Sequence, residues 1–438
     1  MKILKFGSAS IATAEKIKNV AKIIAKGQNN NLIVLSSMRG TAEALTEISD
    51  YLYKKNQEGA IEIINKLEKQ YYDLSASLFD SPEIKKQADE AVLSRFDYIR
   101  TFTKDLFTLF EERVIMAQGE LICSELIWLY LKEKGLNIAL IPALDFMRTD
   151  KNSVPDPVYI KDKLMALLEQ AKDADIFITQ GYICRNAYGE IDDLRKGGSD
   201  YTASLTGVAV GAEEVQIWAD VDAMQNNDPR YVKGTKAIPH LNFDEAAELA
   251  YFGLKILHPS SVLPAKLANI PVRLKNIECP EAEGTLISNE TEARAIKAVA
   301  AKDNITAVKI KSGKMLLAHG FLRRVAEVFE NYQTSIDMLA TSEIGVSLTI
   351  DDGRNLQLII DDLKKYGTVS VDNDMVIISV IGDLESDDTS FSSNILNAVK
   401  GIPVRMISYG GSKYNFSFLV SRGDKEKTLQ ILNDKLFN

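Results

Sequence analysis

The chain opens with an apolar run at residues 3–6, then Ile17, Val20, Ala21 and Ile24 at helical spacing, then a second apolar run at 32–35. This spacing predicts a β-α-β unit in the first 36 residues, with Gly27 ending the helix. Short continuous apolar runs suit strands buried on both faces of a parallel sheet. The turn Gly7-Ser8-Ala9-Ser10 then lies at a strand's C-terminal end, where open α/β sheets bind ligands. Residues 41–134 read as mostly helical, with Ile99, Phe102, Leu106, Leu109 and Phe110 forming one apolar packing stripe. Strand patterns resume at 137–141, 175–179, 215–218 and 271–275, with helical stretches at 158–172, 200–210 and 243–252 between them. The alternation predicts a three-layer α/β domain over 1–290, which the chain leaves through 280–284 and the charged run 289–294.

The pattern then changes. Strand 305–310, helix 321–331, strands 335–339 and 345–350, helix 356–365 and strand 368–371 give the order β-α-β-β-α-β. A second copy follows at 375–381, 394–400, 404–408, 415–420 and 425–436, where Val404-Arg405-Met406-Ile407 answers Ile336-Asp337-Met338-Leu339. The expected modules are 300–372 and 373–438. Two small α+β modules behind a domain of catalytic size suggest ligand sensing, although a purely structural extension fits the same pattern.

The 438 residues allow two or three domains, and 46% hydrophobic with 26% charged residues is the composition of an ordinary globular protein. A net charge of −9 argues against nucleic-acid and anionic-membrane partners. No apolar run reads as a membrane span, and the first residues are strand-like rather than a leader. Cys123, Cys184 and Cys279 are far apart and read as buried free thiols in a reducing cytoplasm.

The candidate chemistry centres on Arg195-Lys196-Gly197-Gly198-Ser199-Asp200. Adjacent glycines let the backbone approach phosphate oxygens, and the helix that follows could turn its N-terminus to an anion. A plain Gly-Gly turn capping a helix fits the same run. Lys5 ends the first strand, and Lys255 follows a helix that Gly253 would stop; both could reach phosphates, or be solvated lysines. Asp220 and Asp222 lie on one side of the chain, and Asp228-Pro229-Arg230 is a tight turn; together they suit a nucleotide. Gly119-Glu120 reads as a helix start, and Glu120 could hold an amino group. His240, His258 and His319 share no ligand spacing. Neither a Walker run nor a dinucleotide glycine fingerprint is present, which disfavours P-loop and NAD-linked readings.

These residues resemble the aspartate kinase family. Lys5-Phe6-Gly7, Gly119-Glu120, Gly197-Gly198-Ser199-Asp200, Asp220-Val221-Asp222, Asp228-Pro229-Arg230 and Phe252-Gly253-Leu254-Lys255-Ile256-Leu257-His258-Pro259 occur in that family's order. Pro271-Val272-Arg273-Leu274-Lys275-Asn276 and Gly284-Thr285-Leu286-Ile287 continue it, and Gly320-Phe321-Leu322 with Thr341-Ser342-Glu343 resemble its first ACT module. The resemblance implies an amino acid kinase fold followed by two βαββαβ ACT regulatory modules. It implies formation of 4-phospho-L-aspartate from L-aspartate and ATP with Mg2+, the first step toward lysine, threonine and methionine. It places the catalytic lysine and aspartate on Lys5 and Asp200, and substrate contacts on Glu120, Lys196, Ser199 and Ala42. Nucleotide contacts fall on Lys5, Phe6, Gly7, Ser8, Ala219, Asp220, Gln225, Arg230, Lys255 and Ile256. Effector contacts fall on Gly320, Phe321, Leu322, Asp337, Ser342 and Glu343, with lysine the first choice of effector, threonine the second, and a homodimer formed through the ACT modules.

The departures from the family pattern cluster at the active site. Ser8 and Ala9 replace a glycine and a threonine, Ala42-Glu43 a Thr-Asn pair, and Ala219 a threonine, while Ala223 stands for a glycine. Were Ser8 forced to positive φ, the strain would be roughly 1 kcal/mol or more. The family's substrate-carboxylate arginine falls on Lys196, and lysine lacks the bidentate guanidinium fork. Three readings follow: a working aspartate kinase, a kinase for another small carboxylate, or a weakly active paralogue that senses amino acids.

Overall fold

In the computed structural model the described residues are 1–27, 30–104, 106–195, 197–221, 223–253, 257–292, 296–312, 319–384 and 390–437. The chain forms two compact units, Met1–Met224 with Leu257–Asn289, and Gln225–Ile256 with Glu290–Asn438. In chain order the strands are β1 (Lys2–Phe6), β2 (Asn31–Leu35), β3 (Ile138–Leu140), β4 (Ile176–Gln180), β5 (Ile183–Arg185), β6 (Ile191–Asp193), β7 (Glu214–Ala219) and β8 (His240–Asn242). They continue with β9 (Val272–Asn276), β10 (Thr285–Ser288), β11 (Ile296–Lys311), β12 (Met338–Ser342), β13 (Gly345–Ile350), β14 (Thr368–Gly382), β15 (Met406–Tyr409) and β16 (Asn415–Ser421).

In the first unit β3, β4, β2, β1, β7 and β9 lie side by side in that order, all parallel, and β10 runs antiparallel beside β9. Every residue of β2 and β4 is buried, because helices cover both faces; hence the apolar runs Leu32–Leu35 and Ile176–Ile178. Ala14–Lys26, Gln57–Leu78, Pro82–Thr101 and Leu109–Glu133 share one core with Leu4, Phe6, Ile33 and Leu35. The helix Gly198–Val210 packs on β1 and β7. Its Gly207 permits that approach, since a Cβ there would stand 2.8 Å from Val215. The three-layer α/β reading therefore holds, with β1 in the interior of the sheet and Lys5 near its C-terminal end.

The apolar stripe across 99–110 does not form one face. The helix Pro82–Thr101 stops, and a new one begins at Leu109, where Thr108 and Glu111 make a reciprocal capping box. Leu106, Leu109 and Phe110 are exposed. The helix Leu109–Glu133 is long and apolar enough to cross a membrane, which the sequence pattern had not suggested, but 78% of its apolar window is buried, as befits a core helix. Cys123 and Cys184 are buried as expected; Cys279 is exposed, because it sits in the turn closed by Ala282 N–H on its carbonyl.

In the second unit the sheet order is β12-β13-β11-β14-β16-β15, antiparallel throughout. β11 and β14 are long enough to serve two halves. Thr306–Lys311 of β11 pairs with β13, and 307–311 with the start of β14. Beyond a register shift near Ile305, the 296–302 end of β11 pairs with the 377–382 end of β14, which β16 flanks on its other side. The sequence-predicted second copy has no final strand after 425–436; the start of β11 supplies one. The two halves have separate cores, one around Val308, Phe321, Phe329 and Leu348, the other around Val299, Ile378, Phe418 and Leu432. Residues 225–253, read from sequence as part of the first domain, pack here because Val232 joins the second core and Asn227 donates a hydrogen bond to the Leu429 carbonyl.

The borrowed strand makes a testable demand. A fragment 373–438 leaves one side of β14 unpaired and should show no cooperative urea unfolding, whereas 290–438 should unfold cooperatively. Equal cooperativity in the two fragments would contradict this architecture.

Candidate active site

Lys5 Nζ lies 2.6 Å from Asp200 Oδ1, and both side chains are largely buried. Lys5 comes from β1 and Asp200 from the first turn of the helix Gly198–Val210, so the ion pair joins a strand end to a helix start. Glycines make room for it. A Cβ on Gly7 would stand 3.0 Å from Lys5 Nζ. Gly197 and Gly198 have φ of +90° and +52°, and a Cβ on Gly197 would strike Ser261 at 2.7 Å. Gly7 precedes a 3₁₀ turn, Ser8–Ile11, fastened by Ser10 Oγ donating to the Trp218 carbonyl at 2.9 Å. Ser8 keeps negative φ within this turn, so the feared strain is absent.

Beside the pair lies a cavity of about 250 Å³ lined by Ser8, Arg39, Ala42, Glu43, Glu120, Tyr182, Gly198 and Ser199, among others. Two helices start at its wall, Thr41–Tyr53 and Gly198–Val210, each preceded by a left-handed glycine. Their unpaired first-turn N–H groups favour anions. Ser199 Oγ is 2.6 Å from Ser36 Oγ, which anchors the second helix to the end of β2. Glu120 sits in the middle of Leu109–Glu133, not at a helix start as the sequence suggested. Its presence there owes nothing to a helix dipole. Gly119 beside it lets Thr41, Leu45 and Ser37 close in, with a Cβ meeting Thr41 at 3.0 Å. Burial pushes the Glu120 carboxyl up from 4.5 to about 7, opposed by the hydrogen bond from Ser37 N–H at 3.4 Å. A buried acid on the cavity wall that gains from a positive partner is suited to an ammonium group.

The cavity thus unites Ser8, Ala42, Glu120 and Ser199. Phe6 is a core residue instead, its ring stacked on Trp218 at 5.8 Å. Ala219 ends β7, and Asp220 follows it, exposed. Gln225 and Arg230 belong to the second unit, where Arg230 grips Asp228 with Nε at 2.9 Å and Nη2 at 2.6 Å. Lys196, Asp222, Lys255 and Ile256 lie outside the described residues. Of the effector positions, Gly320 caps the helix Phe321–Asn331, Phe321 is core, and Leu322, Ser342 and Glu343 are exposed. Asp337 is committed within the protein, accepting from Lys302 Nζ and Tyr251 hydroxyl at 2.7 Å each. Sequence reading missed Ser36, Arg39 and Tyr182. Ser36 directly follows β2 and Tyr182 lies two residues past the end of β4, so the rule that ligands sit at strand C-termini could have found them.

The sequence profile of the amino acid kinase family matches residues 1–276, and an ACT domain profile matches 378–436. The chain is 31% identical to chloroplastic aspartokinase 1 of Arabidopsis thaliana over 99% of its own length and 80% of the relative's. It is 29% identical to lysine-sensitive aspartokinase 3 of Escherichia coli over 99% of each. Among solved structures, E. coli aspartokinase III in complex with aspartate and ADP superposes with a TM-score of 0.82 at 29% identity, over 100% of both chains. The same protein in complex with lysine and aspartate gives a TM-score of 0.87, again over 100% of both.

The raised Glu120 pKa has a stability consequence. A carboxyl whose folded pKa is lifted from 4.5 to about 7 holds its proton more tightly when folded. Its favourable contribution is full below about 4.5 and lost as pH rises through about 7. Glu120→Gln should therefore match the wild type near pH 4.5 and exceed it at pH 8 by up to about 3 kcal/mol. Urea unfolding at the two pH values checks this; a constant difference would contradict it.

Proposed function

The chain belongs to the aspartokinase family, and we propose that it transfers the γ-phosphoryl group of ATP to the β-carboxylate of L-aspartate, giving 4-phospho-L-aspartate. The observation that carries this reading is the Lys5–Asp200 pair set beside a cavity with a buried acid and two helix starts. In it, the substrate ammonium meets Glu120, and the β-carboxylate points toward the Gly198–Ser199 helix start. The carboxylate attacks phosphorus in line. Already an anion, it needs no general base. Lys5 neutralises charge that builds on the phosphoryl oxygens, and Asp200 holds that lysine in place. The Gly7–Ile11 turn and Gly197–Gly198 offer backbone N–H groups to the phosphates.

Among the described residues no three His, Cys, Asp or Glu side chains are grouped to cage a metal. Mg2+ bound with the nucleotide would offset the charge of its phosphates. The retained Lys5–Asp200 pair and Glu120 on the cavity wall favour a working enzyme over a paralogue that only senses amino acids. We place this activity in the cytoplasm, in the first module (1–290), with ACT modules at 300–372 and 373–438 joining two copies and binding lysine, or else threonine. Lysine is supported by its presence in the solved E. coli complex. Inhibition requires the effector to bind the inactive arrangement more tightly.

Acyl phosphate formed from ATP and L-aspartate, trapped as the hydroxamate, tests the reading. Lys5→Ala should lower kcat by roughly 10²–10³-fold, with cooperative unfolding retained. Unchanged turnover in that variant would remove Lys5 from the mechanism. Added lysine should inhibit the wild type; if it alters neither rate nor Tm, lysine is not the effector.

A further inference from the structure

We infer that Arg39 determines substrate specificity by binding the α-carboxylate of the amino acid, an inference that rests on the aspartate reading above. An amino dicarboxylate brings three charges into the cavity. The ammonium has Glu120, and the β-carboxylate faces the phosphoryl donor; the α-carboxylate still needs a cation. Among the described residues lining the cavity, Arg39 carries the only positive side chain. The position where the family resemblance would put an arginine holds Lys196.

Arg39 has the geometry for this role. It lies between the end of β2 and the start of the helix Thr41–Tyr53, next to Gly40 at φ +87°. Glycine at position 40 lets the chain turn there and leaves the Ala42 and Glu43 N–H groups, in the first helical turn, without intrahelical acceptors. A carboxylate at this corner would face a guanidinium fork and a helix N-terminus together. Arg39 is also uncommitted. Elsewhere in the first unit Arg95, Arg100, Arg113, Arg148 and Arg273 each pair with a carboxylate. Arg39 is exposed and makes no side-chain ion pair among the described residues, not even with Glu43 on the same cavity wall. An arginine left unpaired on the wall of a substrate cavity, beside an acid placed for the ammonium, marks the end of the pocket that takes the α-carboxylate.

The test separates the two carboxylates. In the hydroxamate assay, Arg39→Ala should raise the KM for L-aspartate roughly ten- to a hundred-fold and leave kcat within a few-fold, as expected for loss of uniform binding. Arg39→Lys should fall between. Succinate, which keeps both carboxylates, should lose potency as a competitive inhibitor in Arg39→Ala by a similar factor. 3-Aminopropanoate, which lacks the α-carboxylate, should keep its Ki. A KM within two-fold of the active wild type, or equal losses for both inhibitors, would overturn the role of Arg39 while leaving the aspartate reading intact. No turnover of aspartate by the wild type would overturn both.

Discussion

The contact on which the catalytic unit depends is the ion pair between Lys5 and Asp200, 2.6 Å long and nearly sealed from solvent. Two charges removed from water are costly to hold unless their geometry is tightly constrained. The constraint comes from opposite directions. β1 is fixed between β2 and β7, so Lys5 cannot move along the strand axis. The helix carrying Asp200 is fixed from below by Gly207 against Val215 and from above by Gly181, where a Cβ would sit 2.3 Å from Ser199. A larger residue at either glycine separates the strand from the helix and with it the lysine from the aspartate. Folding energy in the sheet thus becomes preorganisation at the site.

The substrate end is built differently. Its walls come from a loop, a mid-helix acid and two helix starts, and its chemistry rests on the buried Glu120 carboxyl on the cavity wall. The replacements at Ser8 and Ala42 change which groups line this end, yet Glu120 and Ser199 still face one cavity. In the second unit, Asp337 is drawn into an internal cluster with Lys302 and Tyr251, and Lys302 also reaches Asp351 at 2.9 Å. An effector ammonium addressed to Asp337 must therefore compete with a lysine already in place.

Strands β2 and β4 were legible as mostly apolar runs because parallel strands covered on both sides are buried throughout, while β9 alternates buried Val272 and Leu274 with half-buried Arg273 and Lys275. Lys5, Glu120, Ser199 and Asp200 were legible as short runs with charge and glycine together. What escaped notice depended on distant partners. The 99–110 stripe looked continuous because Thr108, a capping residue, interrupts it without glycine or proline. The missing strand of the second module lies upstream at 296–302, so no local pattern could announce it. Glu120 read as a helix start because glycine usually breaks helices, whereas Gly119 is there to admit Thr41 and Leu45. Arg39 had no motif of its own; only the cavity gives it a role.

The central claim is that Lys5 and Asp200 act as one unit in phosphoryl transfer. A double-mutant cycle in kcat with L-aspartate, using Lys5→Met, Asp200→Asn and both together, addresses it most directly. If the pair is the unit, the double variant should be no slower than the worse single variant. Fully multiplicative losses would show that the two residues work independently and would contradict the account.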